Sequence, residues 1–160
     1  MPELRELSEQ GDCSKQLVDF LYNIGYRLTG SHQQTEELVK DVFNVPNKDA
    51  AFSLNIDTAL RSMCISYIKK VDDQHQHSTM LKGNSKNKIQ VALLTLSPLQ
   101  RLVLVLREIV RINYSEIAEI TGMDKTTVTR LLSSGRWTLR KHLAPPPGQS
   151  TLTEKYNIAK

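Results

Sequence analysis

The densest set of side chains able to do recognition chemistry lies between positions 125 and 136. Lys125, Thr126, Thr127, Thr129, Arg130, Ser133 and Arg136 fall in that short span. An Arg fork can bond guanine bidentately, and a Thr offers a hydroxyl or a methyl. A Lys close to a helix start is better placed for phosphate, which suits Lys125. Arg136, Arg140 and Lys141 extend the cationic flank. Any one of these alone reads as a solvated surface charge. Their gathering on one helix, with Val128, Leu131 and Leu132 left to face inward, reads as a surface for a DNA groove.

The frame that must hold this helix is the stretch NYSEIAEITGMDKTTVTRLL, residues 113–132. Asn113 and Glu116 are spaced as a capping box. Ala118 is small where two helices would approach. Gly122 stands at the turn, where positive φ is cheap for glycine. Asp124 can cap the second helix. Ile117, Met123, Val128 and Leu131 supply inner contacts. The pattern is a helix-turn-helix rather than a plain helical hairpin.

Upstream, Ser97-Pro98-Leu99-Gln100 opens another helix with a cap, Pro at the first position and Gln at the third. LVLVLREIV could be a strand by composition, but the Leu99, Leu102, Leu106, Ile109 spacing predicts a helix. Trp137 is expected to pack against it. The N-terminal half predicts three helices. One covers 14–29 and closes at Gly30. A second is capped by Ser31 with Gln34 and stopped by Pro46. A third covers 53–71, with Ile56, Leu60, Met63, Cys64, Tyr67, Ile68 and Val71 as its inner stripe. Residues 72–88 are polar and without period.

The predicted fold is therefore all-α: two small helical domains joined by a flexible linker, the second containing a helix-turn-helix. The boundaries are 1–73, a linker at 74–88, 89–144, and a flexible tail at 145–160. Docking of Leu152, Tyr156 and Ile158 from that tail is the lesser reading.

Charge divides along the same line. Residues 1–73 hold 8 Lys/Arg against 12 Asp/Glu, and residues 89–144 hold 8 against 4. Such asymmetry suits a nucleic-acid module joined to a part with another task. Cys13 and Cys64 make no metal-like spacing, and two thiols without a framework suit a reducing cytoplasm. No run of 18 apolar residues occurs, and the polar N-terminus does not read as a signal peptide. No glycine-rich phosphate loop is present, so an enzyme is not expected, nor any cofactor or metal. His75 and His77 after Asp72-Asp73 are the nearest approach to a metal site.

Residues 93–143, LLTLSPLQRLVLVLREIVRINYSEIAEITGMDKTTVTRLLSSGRWTLRKHL, resemble region 4 of bacterial sigma-70 factors, in the extracytoplasmic-function group. Leu-Ser-Pro-x-x-Arg, Leu106-Arg107-Glu108, Tyr114, Glu116-Ile117-Ala118, Thr127-Val128, Leu132, Arg136 and Leu139-Arg140 fall in register. LYNIGYRLTGSHQQTEELVKDVF and ALRSMCISYIKK are more weakly similar to region 2.

The resemblance implies a factor that docks on core RNA polymerase and directs transcription initiation in the cytoplasm. Region 4 would read the −35 element of double-stranded promoter DNA through Lys125, Thr126, Thr127, Thr129, Arg130, Ser133 and Arg136. Region 2 would engage the −10 element through Arg61, Tyr67, Lys69 and Lys70. Glu37, Lys40 and Phe43 would lie on the polymerase-docking helix, with core packing as the other reading of Phe43. A monomer is expected when free, and whether an anti-sigma factor is among its partners stays open. The chain departs from the family's usual Asp at position 37 and Gln at 40. It has Asn55 where Trp is frequent, and Ser62 and Ser66 where Asn and Asp are usual. Weak promoter opening follows from these departures. The alternatives are a helix-turn-helix regulator, or a polymerase-binding adaptor that does not open promoters.

Overall fold

The computed structural model describes residues 3–44, 55–74 and 87–144. Among them are seven helices: α1 (Glu3–Thr29), α2 (His32–Phe43), α3 (Ile56–Gln74), α4 (Lys88–Leu94), α5 (Pro98–Glu108), α6 (Tyr114–Thr121) and α7 (Lys125–Leu143). No strand occurs among the described residues, so the all-α expectation holds. The histidines at 75 and 77 and the whole tail lie outside them, as does most of the linker.

Helix starts are set by side chains that accept from otherwise unpaired backbone N–H groups. At α5 the Gln100 N–H donates to Ser97 Oγ at 3.4 Å, and Gln100 Oε1 accepts from the Ser97 N–H at 3.1 Å. At α6 the same reciprocal pair joins Asn113 and Glu116, at 2.9 and 3.3 Å. Both boxes stand where the sequence places them. Ser31 accepts from the Gln34 N–H at 3.5 Å, a longer contact.

Packing draws every helix into one continuous apolar cluster. Leu21, Leu28, Leu38, Val42 and Met63 fill it between α1, α2 and α3. Leu102, Val103, Val105, Leu106, Ile117, Val128 and Leu132 fill it between α5, α6 and α7. The two groups touch: α1 packs on α4 and α5, and α3 on α5 and α6. LVLVL, residues 102–106, is buried on all sides of α5, which is why its composition alone looks strand-like.

Four expectations are corrected. Trp137 does not pack on α5; it is 59% exposed, with the Lys141 ammonium 3.5 Å from its ring centre. Ile109 lies past the end of α5 and Ile56 at the very start of α3, and both are exposed. Helix α4 begins where a linker was expected to end. Its pattern is inverted, with Ile89 and Val91 exposed and Gln90 buried, so periodicity could not reveal it.

Gly30 and Gly122 both sit at φ 69°. Alanine at either carries a left-handed penalty of about 1–2 kcal/mol. Around Gly122 an added Cβ meets nothing within 4 Å, whereas at Gly30 it would lie 2.6 Å from Leu94 Cδ1. Gly30→Ala should therefore lower the urea-unfolding free energy more than Gly122→Ala, by about 1 kcal/mol or more. Equal losses would show that Leu94 yields without cost.

Candidate nucleic-acid interface

The helix-turn-helix is built by α6 and α7. Gly122 ends α6, its N–H donating to the Ala118 carbonyl, and the Met123 N–H donates to the same oxygen at 3.1 Å. Asp124 then starts α7. It accepts from the Thr127 N–H at 2.8 Å and from the Thr127 hydroxyl at 2.6 Å. Those two donors hold its carboxyl below the usual carboxylate range. Ile117 and Val128 are fully buried between the helices.

The outer face of α7 carries Lys125, Thr126, Thr129, Arg130 and Ser133, all exposed. Thr129 donates its hydroxyl to the Lys125 carbonyl at 2.8 Å and keeps its methyl and its acceptor capacity outward. Two residues of the anticipated set are otherwise engaged. Thr127 is turned to the cap. Arg136 is paired with Glu108, its Nε 3.0 Å from Oε1, and this hydrogen-bonded partner raises its pKa.

Behind that pair, Arg107 donates to the Ile112 carbonyl at 3.0 Å and lies over the Tyr114 ring. Together these contacts tie the end of α5 to the start of α6 and to the second half of α7. They fix α7 in orientation, and they bring Arg107-Glu108, Tyr114 and Arg136 together. The roles of Arg107 and Glu108 as its orienting groups were not read from the sequence, although their register was.

In the N-terminal helices the candidate residues divide. Glu37, Lys40 and Phe43 lie on the outer face of α2, opposite the buried Leu38, Val39 and Val42. Phe43 is 44% exposed, which sets it outside the core. Lys70 pairs with Asp41 at 3.2 Å and Glu37 at 3.7 Å. Arg61 reaches Glu119 of α6 at 3.9 Å. Lys69 is exposed. Tyr67 is only 5% exposed, its hydroxyl 3.4 Å from the Leu28 carbonyl. Burial pushes its pKa up, and the nearby Arg101 opposes that shift. In this arrangement Tyr67 cannot stack on a base. Among the described residues no cluster of His, Cys, Asp or Glu could hold a metal ion. No described helix is long and apolar enough to cross a membrane.

Residues 86–139 match the family model described as Sigma-70, region 4. The fold is similar to that of the sigma factor RpoE from Bartonella quintana, solved in complex with the anti-sigma factor NepR. Identity is 17%, coverage is 84% of this chain and 96% of that chain, and the TM-score is 0.63. Among curated proteins none matches.

The Arg136 pairing makes a direct prediction. Glu108→Gln removes an acid from the interface and releases a cation, so binding to double-stranded DNA should tighten. The slope of log K against log salt should steepen by about one. A salt titration by fluorescence anisotropy reads both, and an unchanged slope would place Arg136 away from the phosphates.

Proposed function

With sigma-70 region 4 over residues 86–139 and the fold of a sigma factor around it, we propose that this chain is a sigma factor of bacterial RNA polymerase, of the extracytoplasmic-function group. It acts by binding and positioning rather than by chemistry on a substrate. The observation that carries this reading is the outer face of α7. There a cation and hydroxyl set stands exposed on a helix whose start, turn and inner face are those of a DNA-reading motif.

In this reading α7 enters the major groove of the −35 element. Arg130 contacts a base edge, Thr126, Thr129 and Ser133 contact edges or backbone, and Lys125 contacts phosphate. Helix α2 docks on core polymerase through Glu37, Lys40 and Phe43. Helix α3 engages the −10 element, with Arg61 and Lys69 as its outward cations. The RpoE neighbour was solved with an anti-sigma factor, and we infer a partner of that class here as well. The cytoplasm is the compartment where such a factor meets polymerase.

A second reading, a sigma factor that opens promoters poorly, is favoured by one feature of α3. Tyr67 is buried and Lys70 is paired with two carboxylates, so few groups remain to offset the cost of unstacking bases. Run-off transcription with core polymerase on genomic fragments tests the main reading. Permanganate reactivity of −10 thymines on linear and supercoiled templates separates the second, which requires reactivity on supercoiled DNA alone.

Two sets of variants probe the assigned surfaces. Arg130→Ala should cost about 1–3 kcal/mol on the cognate −35 sequence and relax one base preference. Lys125→Ala should weaken all sequences alike and flatten the salt dependence. A uniform loss from Arg130→Ala would remove it from the base contacts. Phe43→Ala should keep its circular dichroism but cease to co-purify with core polymerase, as a lost aromatic anchor would. Retained co-purification would move docking off this face.

A further inference from the structure

Among the described residues, Arg111 is the one other than glycine with positive φ, at 70°. A side chain crowds its own backbone there, whereas glycine takes the same conformation freely. The turn is imposed from both sides of that residue. The Val110 N–H donates to the Val105 carbonyl at 3.2 Å, and the Ile112 N–H donates to the Leu106 carbonyl at 3.1 Å. The Ile112 carbonyl accepts from Arg107 at 3.0 Å. These bonds close the connection between α5 and α6 without any help from the side chain at 111. Strain of this kind persists where the surroundings over-determine it, and it gathers at working positions. Nothing within the fold uses this side chain. It is exposed, and its guanidinium has no hydrogen-bond or ion-pair partner among the described residues.

The turn lies beside an exposed edge of α7. Glu108, just before it, pairs with Arg136. Tyr114, just after it, lies close enough to Arg136 to interact with its charge. Arg136 shares one face of α7 with Thr129, Ser133 and Arg140, each a helical step of three or four residues from the next and each exposed. The acids nearby are engaged, Glu108 with Arg136 and Glu116 with the Asn113 N–H. Helix α7 itself carries no acid. The surface around the turn is therefore cationic, and a polyanion complements it.

In helix-turn-helix docking the second helix lies in the groove while the first crosses the sugar–phosphate backbone. Helix α6 is the first helix here, so the turn leading into it meets phosphates rather than base edges. A planar guanidinium suits a phosphate because two of its N–H groups can donate to it together. We propose that Arg111 is a phosphate contact on the flank of the groove, held in a strained backbone so that its charge stands where α6 crosses the DNA. The proposal rests on the DNA reading of α7 given above and adds to it a contact without sequence preference, distinct from that of Arg130.

The test compares the full chain with its Arg111→Gly and Arg111→Lys variants on a labelled duplex of mixed sequence. Fluorescence anisotropy follows binding between about 50 and 200 mM salt. Arg111→Gly should weaken binding several-fold and flatten the slope of log K against log salt by about one. The same change should raise the urea midpoint, because relief of left-handed strain outweighs the freedom glycine adds to the unfolded chain. A residue that only shaped the turn would not move stability and binding in opposite directions. Arg111→Lys keeps both the strain and the charge, so its midpoint and slope should match those of the parent chain. An unchanged slope in Arg111→Gly overturns the proposal, and so does a slope flattened equally by Arg111→Lys. A lowered midpoint in Arg111→Gly overturns it too, since the turn would then need the arginine for its own shape. When the parent binds and Arg111→Gly matches its slope, only the Arg111 contact is lost and the reading of α7 stands. When the parent shows no salt-dependent binding, the DNA reading of α7 fails and the Arg111 contact fails with it.

Discussion

A helix buried around its whole circumference needs neighbours on every side, and α5 imposes that constraint on this chain. Residues 102–106 are five consecutive apolar side chains, all buried. Helices α6 and α7 cover part of that surface, and α1 and α3 also pack against it. The N-terminal helices are thus drawn into the same core as the helix-turn-helix. Because α5 presents so little polar surface along its length, its ends carry the specificity. The Ser97–Gln100 box and Arg101 fix one end. Arg107 and Glu108 fix the other, and through Tyr114 and Arg136 they set the angle of α7.

The exposed face of α7 follows from this arrangement. Helix α7 spends Val128, Leu131 and Leu132 on the core and Thr127 on its own cap, leaving Thr129 and Arg130 between them to solvent. The acid nearest its outer face, Asp124, is consumed by capping bonds, and Glu108 is consumed by Arg136. Beside that carboxylate, what remains outward near the helix start is cationic or hydroxylic. That suits a polyanion in general through Lys125, and base edges in particular through Arg130.

How much could be read in advance depended on whether the signal was local. Capping boxes, the turn glycine and the alternation of buried and exposed positions on α6 and α7 are set within a few residues, and they were legible. The family pattern around Arg107-Glu108 and Arg136 was legible as register but not as geometry, because an ion pair 28 residues apart in sequence leaves no local trace. Helix α4 was illegible for a sharper reason. Its buried residue is a glutamine serving the carbonyls of Tyr26 and Arg27, over 60 residues away, so its polarity pattern runs against its burial. Trp137 failed outright, and Tyr67 carried two readings, of which its burial favours the inner stripe of α3. An aromatic is ambiguous between core and contact until its neighbours are known, and here the tyrosine is inside and the tryptophan outside.

The charge split gains a second meaning once the halves are seen together. Residues 1–73 carry a net −4 and residues 89–144 a net +4, so the halves attract each other before any contact forms. At the contact the polarity is locally reversed: Arg61 belongs to the acidic half and Glu119 to the basic one. The overall attraction therefore brings the halves together, while the shared apolar core and the bonds of Gln90 and Arg101 set how they meet. Screening acts on the two differently. Exposed charges more than about 8 Å apart are largely screened at physiological ionic strength, but hydrogen bonds such as those of Gln90 and Arg101 are not.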